Sequence, residues 1–136
     1  IVLAMLLGGV IGFEREAADK PAGLRTHMLV AGSAAMLTGL GSVMVTRLGV
    51  DQSLINADPI RIIEAVITGI TFLGAGTIIR NRDSENKIEG LTTAASLLLA
   101  AALGVAIALE QFVLAVGAAV LALLVLHGAR AISSRV

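Results

Sequence analysis

Apolar residues in this chain come in long unbroken runs separated by short charged stretches, without the alternation of a half-buried strand or the one-sided stripe of a soluble helix. Residues 1–13 are apolar throughout. At ~1.5 Å per residue they extend only about 20 Å, short of a ~30 Å hydrocarbon layer, and read as a truncated first span. Residues 27–46 contain no acidic or basic residue besides His27, and 60–79 are interrupted only by Arg61 and Glu64 near their start, so each run is long enough to cross a bilayer. Residues 91–127 are apolar apart from Glu110 and Gln111. A single helix of that length would reach about 55 Å, so the chain must fold back there, giving spans over 91–109 and 112–127. The pattern predicts an all-α integral membrane protein, a bundle of about five transmembrane helices in one domain over 1–136, with no soluble C-terminal domain in this chain. Asp58-Pro59 supplies an N-cap and a first helical residue for the third span.

Composition strengthens this reading. The chain is 57% hydrophobic and 15% charged, with a mean hydropathy of +0.94, where soluble domains are about 45–50% apolar with glycine included. Ten basic and ten acidic residues leave no net charge, which removes the positive field that nucleic acid binding requires. The absence of cysteine excludes disulfides, thiol chemistry and Cys-ligated zinc, and His27 and His127 are too far apart in sequence to form a metal-ligand pair by spacing. No cofactor is expected and no metal-ligand set is assigned. Only Phe13, Phe72 and Phe112 are aromatic, so Arg and Lys must anchor the helices at the interfaces. The chain opens with Ile1 in place of Met and is read as a piece of a longer protein.

Basic residues set the expected orientation. Segment 14–26 holds Arg15, Lys20 and Arg25, segment 80–90 holds Arg80, Arg82 and Lys87, and the tail holds Arg130 and Arg135. The intervening connections hold only Arg47 and Arg61. Basic residues are retained on the cytoplasmic side, which places the N-terminus outside, the C-terminus in the cytoplasm and both histidines at cytoplasmic helix ends.

Three groups of residues are candidates for function. The first cytoplasmic segment concentrates Glu14, Arg15, Glu16, Lys20, Arg25, Thr26 and His27. Arg25 is expected to meet Glu14 or Glu16 through its planar fork. Thr92 and Thr93, after Gly90, open the fourth span, where free N–H groups attract carboxylates or anions. Glu64 is an ionisable group inside a span. Gly8 and Gly12 in the first span, and Ala65, Gly69, Gly74 and Gly76 in the third, are small residues that let helix backbones approach closely. They make spans one and three expected neighbours, or span three the contact with a second copy, and span three the expected packing centre.

The segments IGFEREAADKPAGLRTHMLV, DPIRIIEAVITGITFLGAGTII and EGLTTAAS, in that order from Ile11 to Ser96, resemble the membrane domain of the MgtC/SapB family. The resemblance carries over Glu14, Arg15, Glu16, Lys20, Pro21, Gly23, Arg25, Thr26 and His27, then Asp58, Arg61, Gly69, Gly74 and Gly76, then Gly90, Thr92 and Thr93. It implies a multi-pass protein of the bacterial inner membrane, linked to growth at low magnesium, acid tolerance and virulence. It also implies action on partner membrane proteins, ATP synthase among them. Leu97 and Leu98 stand where many members have an aromatic residue, and Glu64 lies outside the family pattern.

Three functions compete. A non-enzymatic regulator that binds membrane proteins, and itself as a homodimer, suits the small-residue faces. A transporter of Mg²⁺ or another small solute needs several inward carboxylates or carbonyls, whereas only Glu64 lies within a span. An enzyme needs a nucleophile paired with a base, and Ser96 has no His partner visible in the sequence. The regulator is therefore favoured. The orientation is testable in this cysteine-free chain. Glu110→Cys is expected to react with an impermeant thiol reagent in intact cells and Arg82→Cys to be protected, and the reverse pattern would overturn the five-span topology.

Overall fold

The computed structural model describes residues 1–47, 59–80 and 90–133. Asp58, Arg82, Lys87 and Arg135, used above for the cap and the loops, lie outside the described residues. The described residues form five helices, α1 (Val2–Ala17), α2 (Leu24–Arg47), α3 (Pro59–Arg80), α4 (Leu91–Ala108) and α5 (Phe112–Ser133), and no strand. Stretches of α2 (Leu24–Met44), α3 (Ile60–Ile78) and α4 (Leu91–Ala108) are long and apolar enough to cross a membrane, and α5 is apolar over the shorter Phe112–Gly128. The protein is an all-α membrane bundle.

The helix ends differ in an informative way from the apolar runs. α1 continues past Phe13 to Ala17, so Glu14, Arg15 and Glu16 lie on its last turn and not in a loop. Its end is closed by two bonds, Asp19 N–H to the Glu16 carbonyl and Lys20 N–H to the Arg15 carbonyl, both 3.0 Å, with Asp19 left-handed at φ 54°. The end of α4 repeats this arrangement. Glu110 N–H donates to the Ile107 carbonyl at 3.1 Å, Gln111 N–H to the Ala106 carbonyl at 2.9 Å, and Glu110 sits at φ 60°. Both are Schellman closures in which an acidic residue occupies the position that glycine usually takes. The fold-back falls at Glu110-Gln111, because this closure reverses the chain within two residues.

Packing is organised around α4, which touches each of the other helices. Leu97, Ala100, Ala101, Leu103, Gly104 and Ile107 are all buried on it. α1 and α2 form the closest pair. A Cβ on Gly8 would lie 2.5 Å from the His27 carbonyl oxygen, and one on Gly12 would lie 2.8 Å from both the Gly23 oxygen and the Leu24 Cα. On the other side of α2, a Cβ on Gly104 would run into the Ala31 carbonyl and come within 3.0 Å of the Ala34 Cβ. These three glycines let the backbones of α1, α2 and α4 approach as close as helices can.

This corrects the expected centre of the bundle. Among the described residues α3 makes no contact with α1. Gly8 and Gly12 serve α2, while Ala65, Gly69 and Gly76 are exposed, with nothing near the place of a Cβ on Gly69 or Gly76. Only Gly74 is buried against the bundle, 3.1 Å from the Ala94 Cβ. G-x-x-x-G spacing announces that a backbone comes near but does not say which one.

The contrast between glycines can be measured. Gly104→Ala is expected to destabilise the detergent-solubilised protein by about 1–3 kcal/mol, the usual effect of overpacking a tight contact. Gly117→Ala, where nothing lies within reach of the added carbon, is expected to be neutral or slightly stabilising. Equal melting temperatures for the two variants would contradict the α2–α4 packing.

Candidate functional site

Buried polar groups gather at one end of the bundle, where the last turn of α1, the first turn of α2 and the first turns of α4 converge. Glu14 and Arg15 are each 5% exposed and His27 is fully enclosed, with Thr93 and Ser96 also buried. The chain builds this corner in three steps. The closure after Ala17 turns it back within a few residues, with Ala22 buried beneath the turn. The Glu16 carboxylate then accepts the Leu24 N–H through Oε2 at 2.8 Å, capping a free donor of α2 from eight residues upstream. Gly90, left-handed at φ 97°, starts α4 so close to the end of α3 that a Cβ would lie 2.9 Å from the Thr77 carbonyl oxygen. Glycine is required there by conformation and by space alike.

His27 is the hub. Its Nδ1 lies 2.9 Å from the Gly23 carbonyl oxygen and its Nε2 lies 3.0 Å from Ser96 Oγ. Since Gly23 offers only an acceptor to the ring, Nδ1 carries the proton in the neutral ring, and Nε2 accepts from the Ser96 hydroxyl. Ser96 Oγ also lies 2.8 Å from the Thr93 carbonyl oxygen, which competes for the same hydrogen. The result is a side-chain tie between α2 and α4 across 69 positions of sequence. Ser96 therefore has a histidine partner that its sequence neighbourhood does not reveal. With both groups enclosed, the pair serves as a link between helices.

Glu14 and Arg15 are neighbours on α1, and Arg15 Nε lies 3.0 Å from Glu14 Oε2. The contact is between charges and lacks hydrogen-bond geometry. Both Glu14 carboxylate oxygens and Arg15 Nε and Nη1 are buried without a hydrogen-bond partner. Such a pair is neutral as a unit yet retains strong donor and acceptor capacity.

Of the other predicted site residues, Thr93 joins the corner, Thr26 is partly buried, and Glu16, Lys20, Arg25 and Thr92 are exposed. Arg25 makes no ion pair with Glu14 or Glu16: Glu14 faces Arg15, and Glu16 is engaged with the α2 backbone. Glu64 is exposed on α3, and its backbone carbonyl accepts the Thr68 hydroxyl at 2.8 Å. Thr38, buried on α2 with an unpartnered hydroxyl, has no sequence signal to mark it and stands about 16 Å along the helix from His27. Among the described residues no three His, Asp or Glu side chains form a metal-binding group.

A family model described as the MgtC family matches residues 1–135. The protein named "Putative magnesium transporter YhiD" of Escherichia coli (strain K12) is 38% identical over 135 residues, covering 93% of this chain and 57% of that protein. Protein SapB of Bacillus subtilis (strain 168) is 42% identical over 104 residues, 76% of this chain and 44% of SapB. Protein MgtC of Brucella abortus (strain 2308) is 42% identical over 104 residues, 75% of this chain and 38% of that protein. The chain thus spans about half the length of these relatives. No solved structure matches it.

The corner predicts a pattern of coupled losses. Glu14→Ala or Arg15→Ala leaves one buried charge uncompensated and is expected to cost about 3–5 kcal/mol. The paired change Glu14→Gln with Arg15→Gln removes both charges and is expected to be the milder, as read by thermal aggregation in detergent. Additive losses in the double variant would show that the two charges do not compensate each other.

Proposed function

The chain belongs to the MgtC family, and from that premise we propose that it is a non-enzymatic regulatory protein of the bacterial inner membrane. In this reading it is multi-pass, with its N-terminus outside and its C-terminus in the cytoplasm, and it acts by binding partner membrane proteins, ATP synthase being one candidate by family resemblance. Its physiological setting is adaptation to low magnesium, acid stress and virulence. The observation that carries the reading is the distribution of polarity inside the bundle. The buried charges, Glu14 and Arg15, sit together at one end. Beyond His27 and Ser96 the buried side chains of α2 and α4 are Val30, Ala31, Ala34, Ala35, Leu97, Ala100, Ala101, Leu103, Val105 and Ile107, with the lone hydroxyl of Thr38 among them. Mg²⁺ gives up its water reluctantly and needs several oxygen ligands along its way, which a single threonine hydroxyl does not supply. The polar end of the bundle, with Lys20, Arg25 and Thr92 exposed around the buried pair, is suited to engaging a polar group of another protein.

The second reading is transport of Mg²⁺ or another small solute through the bundle, favoured by the name that the Escherichia coli relative carries. Purified protein in liposomes separates the two. Under the regulatory reading Mg²⁺ uptake equals that of empty vesicles, while a strain lacking the protein regains growth at low magnesium when the chain is restored and fails to do so with Glu14→Gln. Reproducible uptake above empty vesicles that Glu14→Gln abolishes would replace the regulator with the transporter.

A further inference from the structure

α3 is the least enclosed of the membrane-length helices. Only 11% of Ile60–Ile78 is buried, against 44% of the corresponding stretches of α2 and α4. Val66 and Gly74 are buried on its inner side, with Ile63 and Ile70 packed against the core. On the outer side Arg61, Thr68 and Ala75 recur every seven residues and are all exposed, with Glu64 to one side and Phe72, 82% exposed, to the other. A seven-residue repeat keeps one face in register along a pair of helices that wind gently around each other. Thr68 and Thr71 return their hydroxyls to the Glu64 and Ile67 carbonyls at 2.8 Å, so neither threonine leaves a free hydroxyl donor on this face.

Its charges distinguish this face from one coated by lipid alone. Arg61 and Glu64 are exposed within the first turns of the span, and neither forms an ion pair among the described residues. Ionisable groups inside a span generally find an opposite charge.

We propose that this face of α3 is a homodimer interface, occupied by α3 of a second copy running parallel to the first about a two-fold axis along the membrane normal. Two copies inserted with one topology carry every feature at the same depth. Glu64 and Thr71, three residues on from Arg61 and Thr68, form a second row beside the first, so Arg61 and Glu64 fall on opposite flanks of a seam that runs between the two rows. A two-fold rotation sets each flank of one helix against the other flank of its mate, so Arg61 meets the partner's Glu64 and Glu64 meets the partner's Arg61. The offset along the axis is about 4.5 Å, within reach of an arginine side chain. The small Thr68, Thr71 and Ala75 beside the seam permit close approach, with Phe72 covering it from the flank. The interface forms whether the chain regulates a partner or transports a solute, so its test is independent of that choice.

The chain has no cysteine, which makes disulfide trapping clean. In membranes of cells making the full-length protein, Thr68→Cys and Ala75→Cys are expected to oxidise to a dimer, and Leu121→Cys, exposed on α5, is not. Arg61→Glu and Glu64→Arg, each combined with Thr68→Cys, are expected to lose the dimer when made alone. Co-expressing these two charge variants under different tags is expected to restore a mixed dimer, because every contact across the seam is then between opposite charges. An ion pair within one chain would not give that rescue. Trapping at Leu121→Cys as strong as at Thr68→Cys, a product whose mass is not twice that of the chain, or charge variants that trap as well as the parent, would each overturn the proposal. If the charge variants fail to accumulate, the comparison of positions 68, 75 and 121 in the otherwise unchanged chain decides.

Discussion

Close backbone approach between α1, α2 and α4 is the constraint from which the rest of the molecule follows. Lipid is as apolar as leucine, so helices in a bilayer gain little by hiding apolar side chains from it and associate through contact at short range. Gly8 and Gly12 admit α2, and Gly104 admits it from the other side. The polar corner depends on the same glycines. A Cβ on Gly12 would lie 2.8 Å from the His27 Cβ as well as from the backbone around it. A larger residue there would push His27, and with it the ring that reaches Ser96, away from its place. Packing and site are therefore one structural problem.

The sequence disclosed the number of helices because run length and turn chemistry are local. It disclosed the fold-back at Glu110-Gln111 for the same reason. It could not disclose which helix is central. α4 and α5 are both apolar almost all round, yet Ala100 and Leu103 are buried while Val113 and Leu114 are largely exposed. A helix surrounded by lipid and a helix surrounded by helices have the same composition, and only the identity of the neighbours separates them. Gly8 and Gly12 are close-contact residues as their spacing implies, but they face α2 and not α3, while Gly69 and Gly76 meet nothing within the described bundle. The end of α1 was misjudged because the charges after Phe13 looked like a loop, whereas burial of Glu14 and Arg15 as a neutral pair lets the helix continue.

The candidate site was legible as a region and illegible as a geometry. Glu14, Arg15, His27 and Thr93 were singled out, yet the exposed Arg25 was expected to form the ion pair that the buried Arg15 makes instead. Arg15 succeeds because it adjoins Glu14 on the same turn, where no chain entropy remains to be lost in bringing the charges together. Adjacent residues on a helix point about 100° apart. That angle permits attraction at 3.0 Å but spoils the alignment of the N–H with the carboxylate, which is why the pair keeps unpartnered donors and acceptors.

The contact of His27 with Ser96 is of a different kind, since it joins two helices at the corner side chain to side chain. One hydroxyl hydrogen faces two acceptors, His27 Nε2 and the Thr93 carbonyl. The Thr93 carbonyl lies inside α4 and already has the helical N–H four residues on as a donor. His27 Nε2, enclosed and with its other nitrogen committed to Gly23, has nothing but Ser96. An unpartnered buried acceptor is worse than a carbonyl with one bond in place of two. The hydrogen therefore belongs between α2 and α4, and Ser96 acts across helices. Arg15 and Glu14 neutralise each other within α1, while His27 and Ser96 join α2 to α4. The corner is thus held by its own groups, with hydrogen-bonding capacity left unused on the enclosed Glu14 and Arg15.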